Sequence, residues 1–214
     1  REDSNIYIKY KTKFGAEIGV GVEHLKMETW KEEKIIEEIK KLNGDERING
    51  IIVQLPLPDG MDSQKILDAI DPKKDADGLQ GGSGVVPATA RAVMTLLDYY
   101  GVEIGGKKAA VIGRSRLAGG PIAEELRKRG AEVTVCHRST ENMPEVARGC
   151  DILVSAAGKT GLVTKEFVNE NQVVVDVGIN RGEDDKLAGD VCFTEVEPIV
   201  KAISPVPGGV GPLT

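Results

Sequence analysis

Aromatic residues and histidines are scarce in this sequence, and basic residues are outnumbered by acidic ones. Phe, Trp and Tyr make up 4% of the 214 residues, and 34 acidic residues outnumber 28 basic ones, for a net charge of −6. Because a nucleic-acid binder usually concentrates basic residues on one face, we expect no nucleic-acid partner. The two histidines, His24 and His137, have no clustered ligands around them in the sequence, which argues against a metal site.

Long apolar runs are missing as well. No stretch is long and apolar enough to span a bilayer, and no signal peptide is visible at the N-terminus. The three cysteines are scattered and odd in number, which favours a reducing, cytoplasmic location. With 40% hydrophobic residues the chain can bury one large or two modest cores, so we expect a soluble α/β protein without a membrane partner.

The sequence is organised around a strand, a glycine-rich turn and a helix. The pattern predicts the strand over residues 109–112, the turn over 113–120 and a helix opened by Pro121, which suits a first helical turn. Small residues let backbone N–H groups approach an anion, and the helix dipole favours negative charge there, so this is a candidate phosphate site. The spacing G-x-S-x-x-x-G-x-P departs from G-x-G-x-x-G, and an ordinary tight turn is the alternative.

The residues after the next predicted strand, 131–136, indicate which dinucleotide would bind. An acid at the end of that strand takes the ribose hydroxyls of NAD, whereas an arginine suits the 2′-phosphate of NADP. This sequence has Arg138, Ser139 and Thr140 there, and Arg114 lies in the turn. We therefore expect NADP. For Arg114 or Arg138 taken singly, a solvated surface arginine is the alternative.

The N-terminal part is predicted to be mainly helical. Helices are expected over 4–18, with Ser4 as its cap and Gly19 as its stop, over 32–42, and after Asp62 or Ser63. Tyr7 and Lys11 lie one turn apart on the first helix, although a half-buried Tyr beside a solvated Lys is common.

The apolar run 50–58 predicts a fully buried parallel strand. Gln54 stands near its carboxyl end, where ligands of open parallel sheets bind. A glutamine that only satisfies loose backbone is an equal alternative. Further strands are expected over 151–155 and 172–177, a helix over 89–100, and a domain hinge in or near 80–90.

Seven motifs, in order along nearly the whole chain, resemble the bifunctional methylenetetrahydrofolate dehydrogenase/cyclohydrolase family. They are S-N-I-Y-I-K-Y-K (4–11), G-I-I-V-Q-L-P-L-P (50–58), K-D-A-D-G (74–78), V-I-G-R-S-R-L-A-G-G-P (111–121), V-D-V-G-I-N (175–180), G-D-V (189–191) and P-V-P-G-G-V-G-P-L-T (205–214). The resemblance implies an α/β fold with two domains, a parallel-sheet folate-binding domain and a Rossmann-like NADP-binding domain. It implies NADP-dependent oxidation of 5,10-methylenetetrahydrofolate, hydrolysis of the methenyl product to 10-formyltetrahydrofolate, tetrahydrofolate derivatives as ligands, and a homodimer.

The resemblance also implies residue roles. Lys11 would be the central catalytic group, with Gln54 hydrogen-bonding to it and tuning it, Tyr7 stacking on the folate and Asp77 holding the pterin. The remaining implied contacts are to the folate from Val53, Leu55, Pro207, Gly208, Gly209, Val210 and Gly211, and to NADP from Gly113, Arg114, Ser115, Arg138, Ser139 and Ile179.

The implied domains are 1–87, completed by 205–214, and 88–204. The family begins earlier and continues after residue 214, so we expect the folate domain to be incomplete. The hinge motif P-C-T-P-x-G is Pro87-Ala-Thr-Ala-Arg-Ala92 here, and Gly81-Gly-Ser-Gly84 replaces a longer family segment. Two alternatives stay open: a non-catalytic NADP-binding module left by truncation, and another two-domain NADP dehydrogenase.

Overall fold

The hydrophobic residues collect into cores that belong to two separate units, residues 1–85 and 86–214. A computed structural model describes residues 2–26, 31–181 and 186–214, and side chains from residue 8 onward within these ranges. None of the helices in these ranges is long and apolar enough to cross a membrane. The observed unit boundary falls inside the predicted hinge region.

The described residues of the first unit form three helices, α1 (Glu2–Glu17), α2 (Glu32–Gly44) and α3 (Ser63–Leu67). Helix α1 begins two residues before the predicted cap Ser4, whereas Asp62 caps α3 as expected by accepting from the backbone N–H groups of Gln64 and Lys65. Apolar residues one turn apart on α2 and α3 face a common core. That core contains Ile35, Ile39, Ile51, Leu57, Ile66, Leu67, Ile70 and Leu79.

Lys74 closes the C-terminal end of α2. Its Nζ donates to the backbone carbonyl of Leu42 at 2.9 Å and to that of Asp45 at 2.7 Å. The last carbonyl groups of a helix have no partner within the helix, so a cation there satisfies them and complements the dipole.

The prediction of a fully buried strand over 50–58 is wrong. Among the described residues the segment makes one parallel bridge, between Ile51 and Asp75, and Ile52 is 44% exposed. An apolar run becomes a sheet strand only where neighbouring strands satisfy its backbone groups. Here residues 74–76 supply one such contact, and Pro56 and Pro58 have no N–H to donate.

The second unit is a parallel sheet with helices on its two faces. Its elements are α4 (Ala88–Tyr99), β1 (Lys108–Ile112), α5 (Gly119–Lys128), β2 (Glu132–Cys136), α6 (Met143–Arg148), β3 (Ile152–Ser155), β4 (Val173–Asp176), β5 (Asn180–Arg181), β6 (Leu187–Ala188), α7 (Phe193–Val196) and β7 (Ala202–Ile203), with 3₁₀ turns at Lys165–Phe167 and Gly211–Leu213. The strand order is β2-β1-β3-β4-β7, and β5 pairs with β6 in a separate antiparallel ribbon. The predicted strands and the helix over 89–100 are confirmed to within two residues.

Successive residues of β1 enter different cores. Ala109 and Val111 pack with α4 and α5, whereas Ala110 and Ile112 pack on the opposite face with Cys136 and Leu153. A parallel strand covered on both faces is apolar at every position, which is why these runs are continuous rather than alternating.

The segment 205–214, expected to complete the first domain, lies in the second unit. Val210 is buried in the same core as α4 and α5.

The three cysteines, Cys136, Cys150 and Cys192, are free thiols in this second unit. Burial raises the pKa of each thiol.

Candidate active site

The glycine-rich turn lies where the strand order reverses, because β1 has β2 on one side and β3 on the other. Ligands of doubly wound sheets bind at the carboxyl ends of strands at such a point. Gly113 follows β1 with φ +109°, and a Cβ there would lie 2.2 Å from the carbonyl oxygen of Ala156. A Cβ on Gly119 would lie 2.2 Å from the carbonyl oxygen of Gly113. Both positions therefore require glycine, and the turn packs directly on the backbone that follows β3.

The backbone amides of Arg114 and Ser115 in this turn are available to a ligand. The N–H of Gly113 donates to the carbonyl of Cys136 at 2.8 Å, but those of Arg114 and Ser115 donate to no described residue. The Ser115 hydroxyl accepts from the N–H of Ala118 at 3.3 Å and leads the chain into α5. Adjacent free N–H groups before a helix N-terminus form an anion-binding turn.

The turn after β2 is held in shape by its own side chains. The N–H of His137 donates to the Thr140 hydroxyl at 2.9 Å, and the N–H of Thr140 donates to the carbonyl of His137 at 2.7 Å. Arg138 and Ser139 project from this turn and are exposed. Within the described part of the chain, the guanidinium groups of Arg114 and Arg138 have no acceptor or ion-pair partner. A guanidinium group without a described partner thus follows each of β1 and β2.

Two buried carboxylates organise the ends of β3 and β4, and sequence reasoning assigned them no role. Asp190 is fully buried and accepts from five donors, and Asp176 is 4% exposed and accepts from the N–H groups of Gly178, Asp190 and Val191. Burial raises the pKa of the Asp176 carboxyl, although these three donors offset part of the rise. An acid beside glycine within an apolar run was the available signal, because a buried charge requires donors. Ile179, a predicted cofactor contact, follows this region and is 57% exposed.

In the first unit the structure brings together two predicted site residues that are distant in sequence. Lys11 Nζ lies 3.9 Å from Asp77 Oδ2, and the two side chains are 39% and 27% exposed. Burial raises the pKa of the Asp77 carboxyl, the Lys11 ammonium opposes that rise, and the nearby Asp75 adds to it. The arrangement is a loose, half-buried cation–carboxylate pair.

The loop that carries Asp77 is fixed from within. Asp75 is 3% exposed and accepts from the backbone N–H of Gly78 at 3.0 Å and from that of Gln80 at 2.8 Å. A carboxylate that accepts two N–H bonds closes the turn around Asp77 and leaves the Asp77 side chain free to face Lys11.

Gln54 is not hydrogen-bonded to Lys11. Its Nε2 donates to the carbonyl of Leu55 at 2.9 Å, while its Oε1 is buried and has no partner among the described residues. A buried amide oxygen without a donor is costly, so this oxygen is a place where a ligand or side-chain N–H would be stabilised. The side chain of Tyr7 lies outside the described residues. Val53 and Leu55 are partly buried in the first unit, and Pro207 to Gly211 lie in the second.

A doubly wound parallel sheet with a glycine-rich, amide-lined turn at its switch point defines a dinucleotide-binding protein. Comparison with known proteins narrows this class. The family profile described as tetrahydrofolate dehydrogenase/cyclohydrolase, catalytic domain, matches residues 1–77, and the NAD(P)-binding domain of the same family matches residues 87–214. The chain belongs to the tetrahydrofolate dehydrogenase/cyclohydrolase family.

Individual relatives agree. Bifunctional protein FolD 2 of Lactobacillus johnsonii is 45% identical over 99% of this chain and 78% of its own length. The bifunctional FolD enzyme of Campylobacter jejuni superposes with a TM-score of 0.91 at 40% identity, covering 100% of this chain and 79% of that one. The Trypanosoma brucei enzyme, solved with NADP cofactor and an inhibitor, superposes with a TM-score of 0.89 at 39% identity, covering 100% of this chain and 78% of that one. Matches to both domains contradict the alternative of an NADP-binding module alone.

Proposed function

We propose that this chain catalyses two consecutive reactions on one tetrahydrofolate ligand. It is an NADP-dependent methylenetetrahydrofolate dehydrogenase and a methenyltetrahydrofolate cyclohydrolase, which converts the 5,10-methylene derivative to the methenyl form and then to 10-formyltetrahydrofolate. The observation that carries the proposal is that one chain holds both the Lys11–Asp77 pair and the glycine-rich turn at the switch point.

The second unit fits NADP. Glycine at positions 113 and 119 lets the turn pack tightly on itself and on Ala156, and the N–H groups of Arg114 and Ser115, which donate to no described residue, suit phosphate oxygens. We propose that Arg138 and Ser139 hold the 2′-phosphate, supported by their exposure and by a guanidinium that has no acceptor among the described residues, and that Ile179 contacts the cofactor. When bound, NADP supplies the acceptor for the hydride that leaves the methylene carbon.

For the hydrolytic step we propose that Lys11 moves the proton. The Lys11 side chain is 39% exposed, so its Nζ is accessible to water, and it lies 3.9 Å from the Asp77 carboxylate, which orients it. Gln54 offers its unpartnered Oε1 to an N–H of Lys11 or of the folate, and a neutral amide orients an amine without fixing its charge.

Other assignments stay proposals on the family motifs. They are stacking by Tyr7, folate contacts from Val53, Leu55 and residues 207–211, the contribution of 205–214 to the folate domain, and a homodimer. We also propose a cytoplasmic location, supported by three free thiols, of which Cys136 and Cys150 are buried in the core and Cys192 is partly buried.

The first test is a spectrophotometric assay that follows methenyltetrahydrofolate and reduced cofactor together, with NADP or NAD. We expect turnover with NADP. Lys11→Met should abolish hydrolysis of supplied methenyltetrahydrofolate while NADP binding is unchanged, because Nζ is lost and the second unit is untouched. Lys13→Met, which removes a lysine that is 77% exposed on the same helix, is the matched control. Normal hydrolysis by Lys11→Met would refute the assignment.

A second test addresses the cofactor preference. Arg138→Ala should weaken NADP binding by about tenfold and leave NAD binding unchanged, because only NADP carries the 2′-phosphate. Equal loss for both cofactors would show that Arg138 supports the turn rather than the phosphate.

A further inference from the structure

One carboxylate, that of Asp190, joins the segments that follow two neighbouring strands of the sheet, β3 and β4. Its Oδ2 accepts from the Ser155 hydroxyl at 3.1 Å and from the N–H groups of Ala157 and Gly158 at 2.6 and 3.2 Å. Its Oδ1 accepts from the N–H of Lys159 at 2.8 Å and from Asn180 Nδ2 at 2.9 Å. Five donors exceed the four or so lone-pair directions of a carboxylate, so the group is saturated and has no capacity left for a ligand.

The donors include three consecutive backbone amides, those of residues 157–159. Successive N–H groups that converge in this way form an anion-binding concavity, and here the anion is the protein's own side chain. The turn after β3 therefore cannot offer these amides to a phosphate. Its conformation is set by Asp190 instead.

The segment 156–159 also supports the glycine-rich turn. The N–H of Ala156 donates to the carbonyl of Ile112 at 2.8 Å, and the Ala156 carbonyl oxygen occupies the place of a Cβ on Gly113. On the other side, a Cβ on Gly178 would lie 2.3 Å from Asp190 Oδ1, so the strand end that leads to Ile179 packs against the same carboxylate. Asp190 thus directly contacts the backbone that follows β3 and the backbone that follows β4, and the first of these packs against Gly113 at the switch point.

We propose that Asp190 is a positioning residue for the dinucleotide: its buried carboxylate holds the 156–159 turn against Gly113 and so sets the geometry of the phosphate-binding amides. The inference rests on the proposed function for the identity of the ligand, NADP. In this proposal Asp190 acts through the backbone of Ala156 and Ala157 and not by contact with the ligand.

The test compares Asp190→Asn with Asp151→Asn. The first exchange keeps the shape but replaces one acceptor oxygen by an NH₂ group that faces N–H donors. The second exchange makes the same change at Asp151, an exposed carboxylate at the opposite end of the sheet. This carboxylate accepts one backbone hydrogen bond, from the N–H of Lys108 at 2.8 Å. Three quantities are measured for each: NADP affinity by calorimetric titration, amide exchange at residues 157–159, and hydrolysis of supplied methenyltetrahydrofolate, which needs no NADP.

For Asp190→Asn we expect faster exchange at residues 157–159, NADP affinity reduced by about tenfold or more, and hydrolysis retained. Asp151→Asn should change none of these. An unchanged NADP affinity, or a parallel loss of hydrolysis and binding, overturns the proposal because the residue would then be only structural. If neither the parent nor the variants hydrolyse methenyltetrahydrofolate, the proposed function fails, while the titration and the exchange still decide the role of Asp190.

A milder variant covers the case in which Asp190→Asn does not fold. Asn180→Ala removes one donor and leaves the carboxylate with four. NADP affinity reduced by about threefold supports the proposal, since one side-chain bond is lost, and an unchanged affinity overturns it.

Discussion

Gly113→Ala tests the whole account of the dinucleotide site with a single methyl group. The added Cβ would lie 2.2 Å from the Ala156 carbonyl oxygen and 2.8 Å from its carbonyl carbon. A carbon and an oxygen that are not bonded approach to about 3.3 Å, so one of the two turns must move by about 1 Å. Neither obstacle is a flexible side chain, and the Ala156–Ala157 backbone is tied to Asp190. The displacement therefore falls largely on the glycine-rich turn.

The expected magnitude follows from this displacement. A misplacement of about 1 Å in a positioned site costs on the order of a hundredfold in rate, so kcat/KM for NADP should fall by about that factor. The φ of +109° adds strain for an L residue. Strain and overpacking together should lower the free energy of unfolding by about 2–4 kcal/mol.

Gly106→Ala is the matched control, because Gly106 has a φ of +73° in the same unit and a Cβ added there would meet no atom within 4 Å. It should lose about 1 kcal/mol of stability from the left-handed backbone alone, with NADP kinetics unchanged. Dehydrogenase kinetics, cyclohydrolase kinetics and urea unfolding are measured for both variants. If Gly113→Ala keeps its kcat/KM for NADP within about threefold of the control, the close approach does not control the site.

Three further predictions concern stability. Relative to the parent, Asp77→Asn should become more stable as the pH rises from about 4 to about 7. Burial raises the folded pKa of the Asp77 carboxyl, so the parent loses stability as this group ionises, whereas asparagine does not titrate. Urea unfolding at both pH values measures the difference. Lys74→Met should cost about 1–3 kcal/mol by removing two bonds to carbonyls at the end of α2, whereas Lys73→Met, at an exposed neighbour, should be neutral in the same assay. Leu126→Ala should cost about 2–5 kcal/mol because the side chain is fully buried in α5, against a small effect for the 43% exposed Leu117→Ala.

Each of these has a clear contrary outcome. A pH-independent difference for Asp77→Asn would show that Lys11 compensates the burial of the carboxylate. Equal effects of Lys74→Met and Lys73→Met would mean that the two carbonyl contacts contribute nothing, and equal effects at Leu126 and Leu117 would contradict the assignment of the core.

The sequence was most informative where local signals agree with the final packing. The strand, turn and helix around Gly113 were predicted to within two residues, because a continuous apolar run, small residues and Pro121 all act over short distances. The prediction of a buried strand over residues 50–58 was wrong for the opposite reason. It has the composition of a buried strand, but a strand depends on partners elsewhere in the chain, and composition carries no information about them.

The candidate site divides in the same way. Arg138 could be placed after β2 from the strand pattern alone. The family resemblance gave Lys11 and Asp77 separate roles at the folate, and the contact between them, across 66 positions, is a finding of the structure. Asp190 was overlooked because its donors are mainly backbone amides, which every residue except proline possesses and which no side-chain pattern reveals.

The distribution of thiols has a practical consequence. Residues 1–85 contain no cysteine, while Cys136 and Cys150 are buried in the second unit with thiol pKa values raised by burial. A thiol-selective reagent reacts with the thiolate, so these two groups become labelled only when the sheet opens. The rate of labelling of these two thiols, measured with and without NADP, would therefore report opening of the second unit. It would not respond to unfolding of residues 1–85, which contain no cysteine.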